Sequence, residues 1–128
     1  MILLDTSAWL ALVIKRPRPE PSVTIALEEG HIAVHPWVIG ELLLGGLEAR
    51  RAALLETLPI VPAVEDAEVL AFIRRHRPRG VGWVDVHLLI AALDAGCQLL
   101  SRDRALADLA NRQGCAARPP DAWNPASG

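Results

Sequence analysis

The chain has 128 residues, 52% of them hydrophobic, and a formal net charge of −2. That length and apolar content suit one domain with a substantial core and exclude a disordered chain. The charge excludes a protein that holds nucleic acid by bulk positive charge alone, although acids gathered in one site would mask basic surface in the total.

In chain order, residues 2–5 read as a short buried strand. Residues 7–14 read as a helix capped by Thr6 or Ser7 and ended by Arg16-Pro17-Arg18-Pro19. Residues 21–29 form a helix stopped by Gly30, 31–35 a strand, and Pro36 opens a helix to about Gly46. A helix over 48–57 and a proline-flanked strand over 58–62 come next. The helix over 65–77 has acids in its first turn and arginines in its last, as the macrodipole favours. Pro78-Arg79-Gly80 breaks it. A helix over 83–95, a strand over 97–101, a helix over 103–113 and a strand over 115–118 complete the domain. The expected fold is an α/β/α sandwich with a mainly parallel sheet of four or five strands. Residues 1–118 form the domain and 119–128 a tail, docked by Trp123.

The apolar stretch 2–14 has no basic segment before it and contains Asp5, so it is not read as a secretory signal. No run approaches the roughly 20 apolar residues that span a bilayer. Cys97 and Cys115 make neither a disulfide framework nor a CxxC zinc pair. The expectation is a reducing, cytoplasmic compartment.

Four acids carry the functional reading. Asp5 ends the run Met-Ile-Leu-Leu, and Glu41 interrupts an apolar helix in which Trp37, Leu44 and Gly45 share its face and give it apolar neighbours. Asp85 opens a helix whose Leu88, Leu89 and Ala92 share its side, and Asp103 follows Leu99-Leu100. In parallel sheets, sites form beyond the carboxyl ends of strands, where Asp5 and Asp103 fall. A carboxylate in apolar surroundings is costly unless paired or bound to a cation. Lys15 is the single lysine, so a divalent metal is the economical partner. Each acid also has an ordinary reading: Asp5 and Asp103 as helix caps, Asp85 as a first-turn acid, Glu41 on a wet edge. Oxygen ligands of this kind suit Mg²⁺ or Mn²⁺, which activates water toward a phosphodiester. His31, His35, His76 and His87 read as structural. His87 is two residues from Asp85, about 200° round the helix, and points elsewhere. Arg74, Arg75, Arg77 and Arg79, with Arg102 and Arg104 around Asp103, are candidate phosphate contacts; Arg50 and Arg51 follow the Glu41 helix.

Leu3-Leu4-Asp5-Thr6-Ser7, Gly40-Glu41-Leu42-Leu43-Leu44-Gly45, Gly80 through Leu89, and Leu99-Leu100-Ser101-Arg102-Asp103-Arg104-Ala105-Leu106 stand in order along nearly the whole chain. In this the sequence resembles the PIN-domain ribonucleases, and among them the VapC-type toxins of bacterial toxin–antitoxin pairs. The resemblance implies a metal-dependent endoribonuclease whose Asp5, Glu41, Asp85 and Asp103 form the metal site. Thr6 or Ser7 and Ser101 would supply supporting hydroxyls; Ser101 stands where family members often carry threonine. It also implies an RNA substrate, an antitoxin partner and a homodimer.

Two other classes compete. A receiver-like phosphoacceptor domain also gathers acids at strand ends, but needs a lysine near the last strand that this chain lacks. A catalytically idle PIN-like module that only binds a protein would show no metal-dependent cleavage.

Overall fold

The structure is a computed structural model that describes residues 1–117. The expected tail, with Trp123, lies outside the described residues. Three parallel strands form the sheet in the order β2-β1-β3. They are β1 (Ile2–Leu4), β2 (Ile32–Ala33) and β3 (Gln98–Leu100). Ile2 pairs with Ile32 on one side and Gln98 on the other.

The expected strands over 58–62 and 115–118 are reduced to single bridging residues. Ile60 pairs with Val34 and Ala116 with Leu99, both parallel. Five segments therefore lie side by side, but the outer two make one bridge each. Pro59 and Pro62 lack the N–H groups that would lengthen the first of them. Its place at the rim of the sheet is where proline is tolerated.

Helices cover both faces. They are α1 (Thr6–Trp9), α2 (Pro21–Glu28), α3 (Pro36–Leu44), α4 (Ala49–Leu55), α5 (Asp66–His76), α6 (Trp83–Asp94) and α7 (Arg104–Arg112). Side chains on a strand alternate between faces. Leu4 and Leu100 accordingly pack with Trp9, Leu12, Val38, Ile39 and Leu42 on one face. Leu3 and Leu99 pack with Leu89, Ala92, Leu106 and Leu109 on the other. No helix among the described residues is long and apolar enough to cross a membrane.

Two expectations about helices are corrected. The first helix is capped by Asp5, not by Thr6 or Ser7, and Asp5 accepts from the Ala8 amide at 2.8 Å. Beyond Trp9 it continues as a π-helix over Leu10–Ile14. The second correction concerns α3. The stripe Trp37, Glu41, Leu44, Gly45 is its outer side: Val38, Ile39 and Leu42 are buried, whereas Leu44 is 91% exposed. Glu41 therefore stands on an exposed edge rather than among apolar neighbours.

Candidate active site

The carboxyl ends of β1 and β3 deliver Asp5 and Ser101 to the same place, because Leu4 and Leu100 are register partners and the Asp5 amide bonds the Leu100 carbonyl. Asp5 is buried, and both its oxygens are engaged. The Ser7 hydroxyl donates to Oδ1 at 2.6 Å, beside the Ala8 amide. The Ser101 hydroxyl donates to Oδ2. These hydroxyls also accept: Ser7 Oγ from the Arg102 amide at 2.9 Å, and Ser101 Oγ from the Asp103 amide at 3.0 Å. The loop from Ser101 to Asp103 is thus tied to Asp5 by a polar network that neither strand could make alone.

The other acids surround this hub, each anchored through one oxygen. Glu41 Oε1 accepts from the Thr6 hydroxyl at 2.8 Å. Asp85 Oδ2 accepts from the Gly82 amide at 3.0 Å, which holds the first turn of α6. Asp103 Oδ1 caps α7 by accepting from the Leu106 amide at 3.0 Å. The ordinary capping roles of Asp5, Asp85 and Asp103 are therefore real, and each outer acid keeps an oxygen outside these bonds.

Burial pushes the Asp5 carboxyl above its ordinary range. Hydrogen bonds from Ser101, Ser7 and Ala8 oppose the shift, and the charge of Asp85 adds to it. Asp85 is thus close enough to be felt electrostatically. Among the described residues, however, no three acidic, histidine or cysteine side chains converge tightly enough to cage a metal ion. The donor chemistry is nonetheless that of a hard cation: oxygens only, around a buried carboxylate that no ion pair neutralises among the described residues. Mg²⁺ takes one or two carboxylates and keeps several waters, so this set fits it without a full protein cage.

One cleft adjoins Glu41, and an apolar cavity lies beside that cleft. The cleft, of about 400 Å³, is lined by Thr6, Glu41, Leu10, Lys15, Gly46 and Arg51. It gives Lys15 a place beside the site that sequence order did not suggest. The apolar cavity, of about 340 Å³, is lined by Trp9, Val13, Leu27, Leu47, Leu54 and Leu58. Of the candidate arginines, Arg102 and Arg104 bracket Asp103 and are exposed. Arg74 and Arg75 are in the last turn of α5. Arg77 and Arg79 line a separate cavity that also includes Arg112.

Two of the four histidines lie in the interior. His35 and His87 are fully buried. His87 lies between Trp37 and Trp83, with ring centroids 4.5 and 4.6 Å away. Its Nε2 is 3.1 Å from Asp66 Oδ1 but out of line for a hydrogen bond. Burial lowers the His35 pKa, and the neighbouring His87 lowers it further. His35 Nδ1 accepts from the Trp37 amide at 3.1 Å and so caps α3. This aromatic cluster fixes α3, which carries Glu41, against α6, which carries Asp85.

Two solved structures share the fold. PAE2754 from Pyrobaculum aerophilum is 19% identical with a TM-score of 0.55, covering 88% of this chain and 96% of its own. FitAcB from Neisseria gonorrhoeae is 18% identical with a TM-score of 0.57, covering 97% of this chain and 99% of its own. No curated protein matches the sequence. Residues 2–112 match the family model described as PIN domain. A match over nearly all of the described chain makes this protein a member of the PIN-domain family.

Proposed function

We propose that this protein is a metal-dependent endoribonuclease acting as the toxin of a toxin–antitoxin pair. The observation that carries the reading is the buried Asp5 carboxylate. It is held by Ser7 and Ser101 at the carboxyl end of the sheet, under the charge of Asp85. A helix cap needs only the Ala8 bond, whereas here two further hydroxyls and the charge of a second acid surround the same carboxylate. Asp5, Glu41, Asp85 and Asp103 would hold Mg²⁺ or Mn²⁺, one or two of them directly and the rest through its waters. When bound, the ion supplies an activated water and neutralises charge on the phosphodiester. Ser7 and Ser101 keep Asp5 fixed, Thr6 fixes Glu41, and Arg102 and Arg104 draw the phosphate toward the acids.

Water adds to phosphorus, the bond from phosphorus to the 3′ oxygen breaks, and that oxygen leaves as a hydroxyl. The RNA 2′-hydroxyl is not consumed. Cleaved RNA should therefore carry 5′-phosphate and 3′-hydroxyl ends, and chelation should stop cutting until Mg²⁺ or Mn²⁺ is restored. End analysis by ligation and phosphatase sensitivity checks this. Cyclic 2′,3′-phosphate ends would refute the mechanism.

An antitoxin, with a second copy of this chain as homodimer mate, is the proposed protein partner. Leu44 is 91% and Leu54 64% exposed, and Leu54 lines the apolar cavity beside Trp9. Exposed apolar side chains around an apolar hollow suit an amphipathic helix of a partner. Leu54→Ser should leave the melting temperature nearly unchanged yet reduce recovery of a complex with the product of the neighbouring reading frame. Equal recovery from both proteins would exclude this surface.

A further inference from the structure

A cavity of about 460 Å³ opens where the turn after α5 crosses α7. It is lined by His76, Arg77, Arg79, Leu109, Arg112 and Gln113. No carboxylate lines it, and among the described residues no arginine takes part in an ion pair. Three arginines line one hollow, although Arg112 lies far along the chain from the other two.

The backbone adds a separate observation. Arg77 ends α5 in the left-handed conformation, with φ 45° and ψ 55°. Every other described residue with positive φ is a glycine: Gly30, Gly46, Gly80, Gly96 and Gly114. Glycine is the unstrained choice at such a helix end, and a side chain there is under strain. An arginine kept at a left-handed position where the rest of the chain uses glycine makes its side chain a candidate for a role beyond the turn. The helix dipole does not require it, because Arg74, Arg75 and His76 already occupy the last turn.

The position of the cavity indicates its ligand. Gly80 approaches α7 so closely that a Cβ there would meet Ala105 Cβ at 3.4 Å. Ala105, Leu109 and Arg112 succeed one another at i, i+4 and i+7 along one side of α7. Asp103 caps the start of this helix, so Arg112 lies about 13 Å further along its axis. Arg102 and Arg104 stand at the head of α7 beside Asp103, and Arg77, Arg79 and Arg112 line the cavity toward its other end.

We propose that this cavity binds a phosphate of the RNA backbone several nucleotides from the bond that is cut, with Arg77, Arg79 and Arg112 as the phosphate donors. The assignment rests on the ribonuclease reading. Guanidinium forks match phosphate oxygens in pairs, and sequence-independent contacts of this kind set the register of the strand. The site would make the enzyme prefer substrates long enough to span both ends of α7.

The test measures binding of labelled single-stranded RNA to chelated protein over a salt series, alongside cleavage with Mn²⁺. The variants are Arg77→Gly, Arg77→Lys and Arg112→Gln. Each loss of a guanidinium should weaken binding severalfold and reduce the slope of log K against log salt by about 0.7. Arg77→Lys should recover most of the slope. Arg77→Gly should melt no lower than wild type, since strain is relieved while binding is lost. A purely structural arginine would give the opposite pairing. Short oligonucleotides should be bound and cut equally by all proteins. Unchanged affinity and slope in Arg77→Gly and Arg112→Gln, with wild type still cleaving, would overturn the proposal alone. So would unchanged RNA affinity with loss of partner-protein capture, which would assign the cavity to a protein. If wild type neither binds nor cuts RNA, the ribonuclease reading falls and this site with it.

Discussion

Asp5→Asn should abolish RNA cleavage, and Ser101→Ala should only weaken it. Both changes touch the same network, so the contrast separates charge from support. Ser101 Oγ donates to Asp5 Oδ2 and accepts from the Asp103 amide. Removing it loosens the orientation of one acid and the anchor of the loop bearing another. Losses of this supporting kind run about 10- to 100-fold in activity or metal affinity. Asparagine at position 5 keeps the shape of the cap and can still accept from the Ala8 amide, but it removes the negative charge at the hub. Its loss should exceed about 100-fold, the upper end for a supporting group. Initial rates with one RNA at fixed Mn²⁺ check the pair. Near-normal cleavage by Asp5→Asn would remove Asp5 from the catalytic machinery. Equal losses from both variants would show that geometry matters more than charge.

In chelator, the same asparagine variant should be more stable than wild type at neutral pH and lose that advantage in mild acid. Burial raises the Asp5 pKa above its ordinary 3.8, and Asp85 raises it further. Within the window between the ordinary and the raised value, the folded state holds the proton more tightly than the unfolded state. Stability therefore falls as pH rises through that window and levels off above it. Asparagine has no such dependence. Alanine would be a poor control, because losing the cap at the start of α1 costs about 1 kcal/mol. Saturating Mn²⁺ should reverse the order at neutral pH. A ligand at about 100 times its dissociation constant stabilises the folded state by about 2.7 kcal/mol, and the variant would bind it less. Thermal melts of both proteins across pH, with chelator and with Mn²⁺, give all four comparisons. If wild type in chelator is the more stable protein at neutral pH and gains nothing from Mn²⁺, Asp5 is only a helix cap.

The α/β alternation was legible because helices and strands here are short and punctuated by Pro and Gly. The strand-end acids were legible for the same reason: an acid directly after Leu4, or just after Leu100, can only stand at the carboxyl edge of the sheet. Glu41 was harder. Helix α3 is apolar nearly all round, so its pattern does not say which stripe faces inward. Its tertiary packing buries Val38, Ile39 and Leu42 and leaves Glu41 outside. The outer strands were overestimated, since periodicity cannot tell a paired strand from an extended segment that makes one bridge. The cluster of His35, Trp37, Trp83 and His87 joins α3 to α6, and the cavity of Arg77, Arg79 and Arg112 joins the turn after α5 to α7. Such long-range groupings leave no local spacing to read. The left-handed Arg77 could have been suspected, because that helix ends without the glycine or asparagine such a turn prefers.

The π-helical turn after α1 has its own consequence. Its amide at Lys15 reaches back to the Leu10 carbonyl, one residue further than an α-helix would allow. Deleting one residue between Leu10 and Ile14 would let that turn close in α-helical register, with the Lys15 amide still on the Leu10 carbonyl. Asp5, Ser7 and the cap precede the turn and would stay in place. The chain beyond it would keep its direction, so Lys15 would remain in the cleft beside Glu41. The extra residue widens the helix where Leu10 and Ile14 line that cleft, so losing a single codon there would reshape the cleft wall without moving the acids.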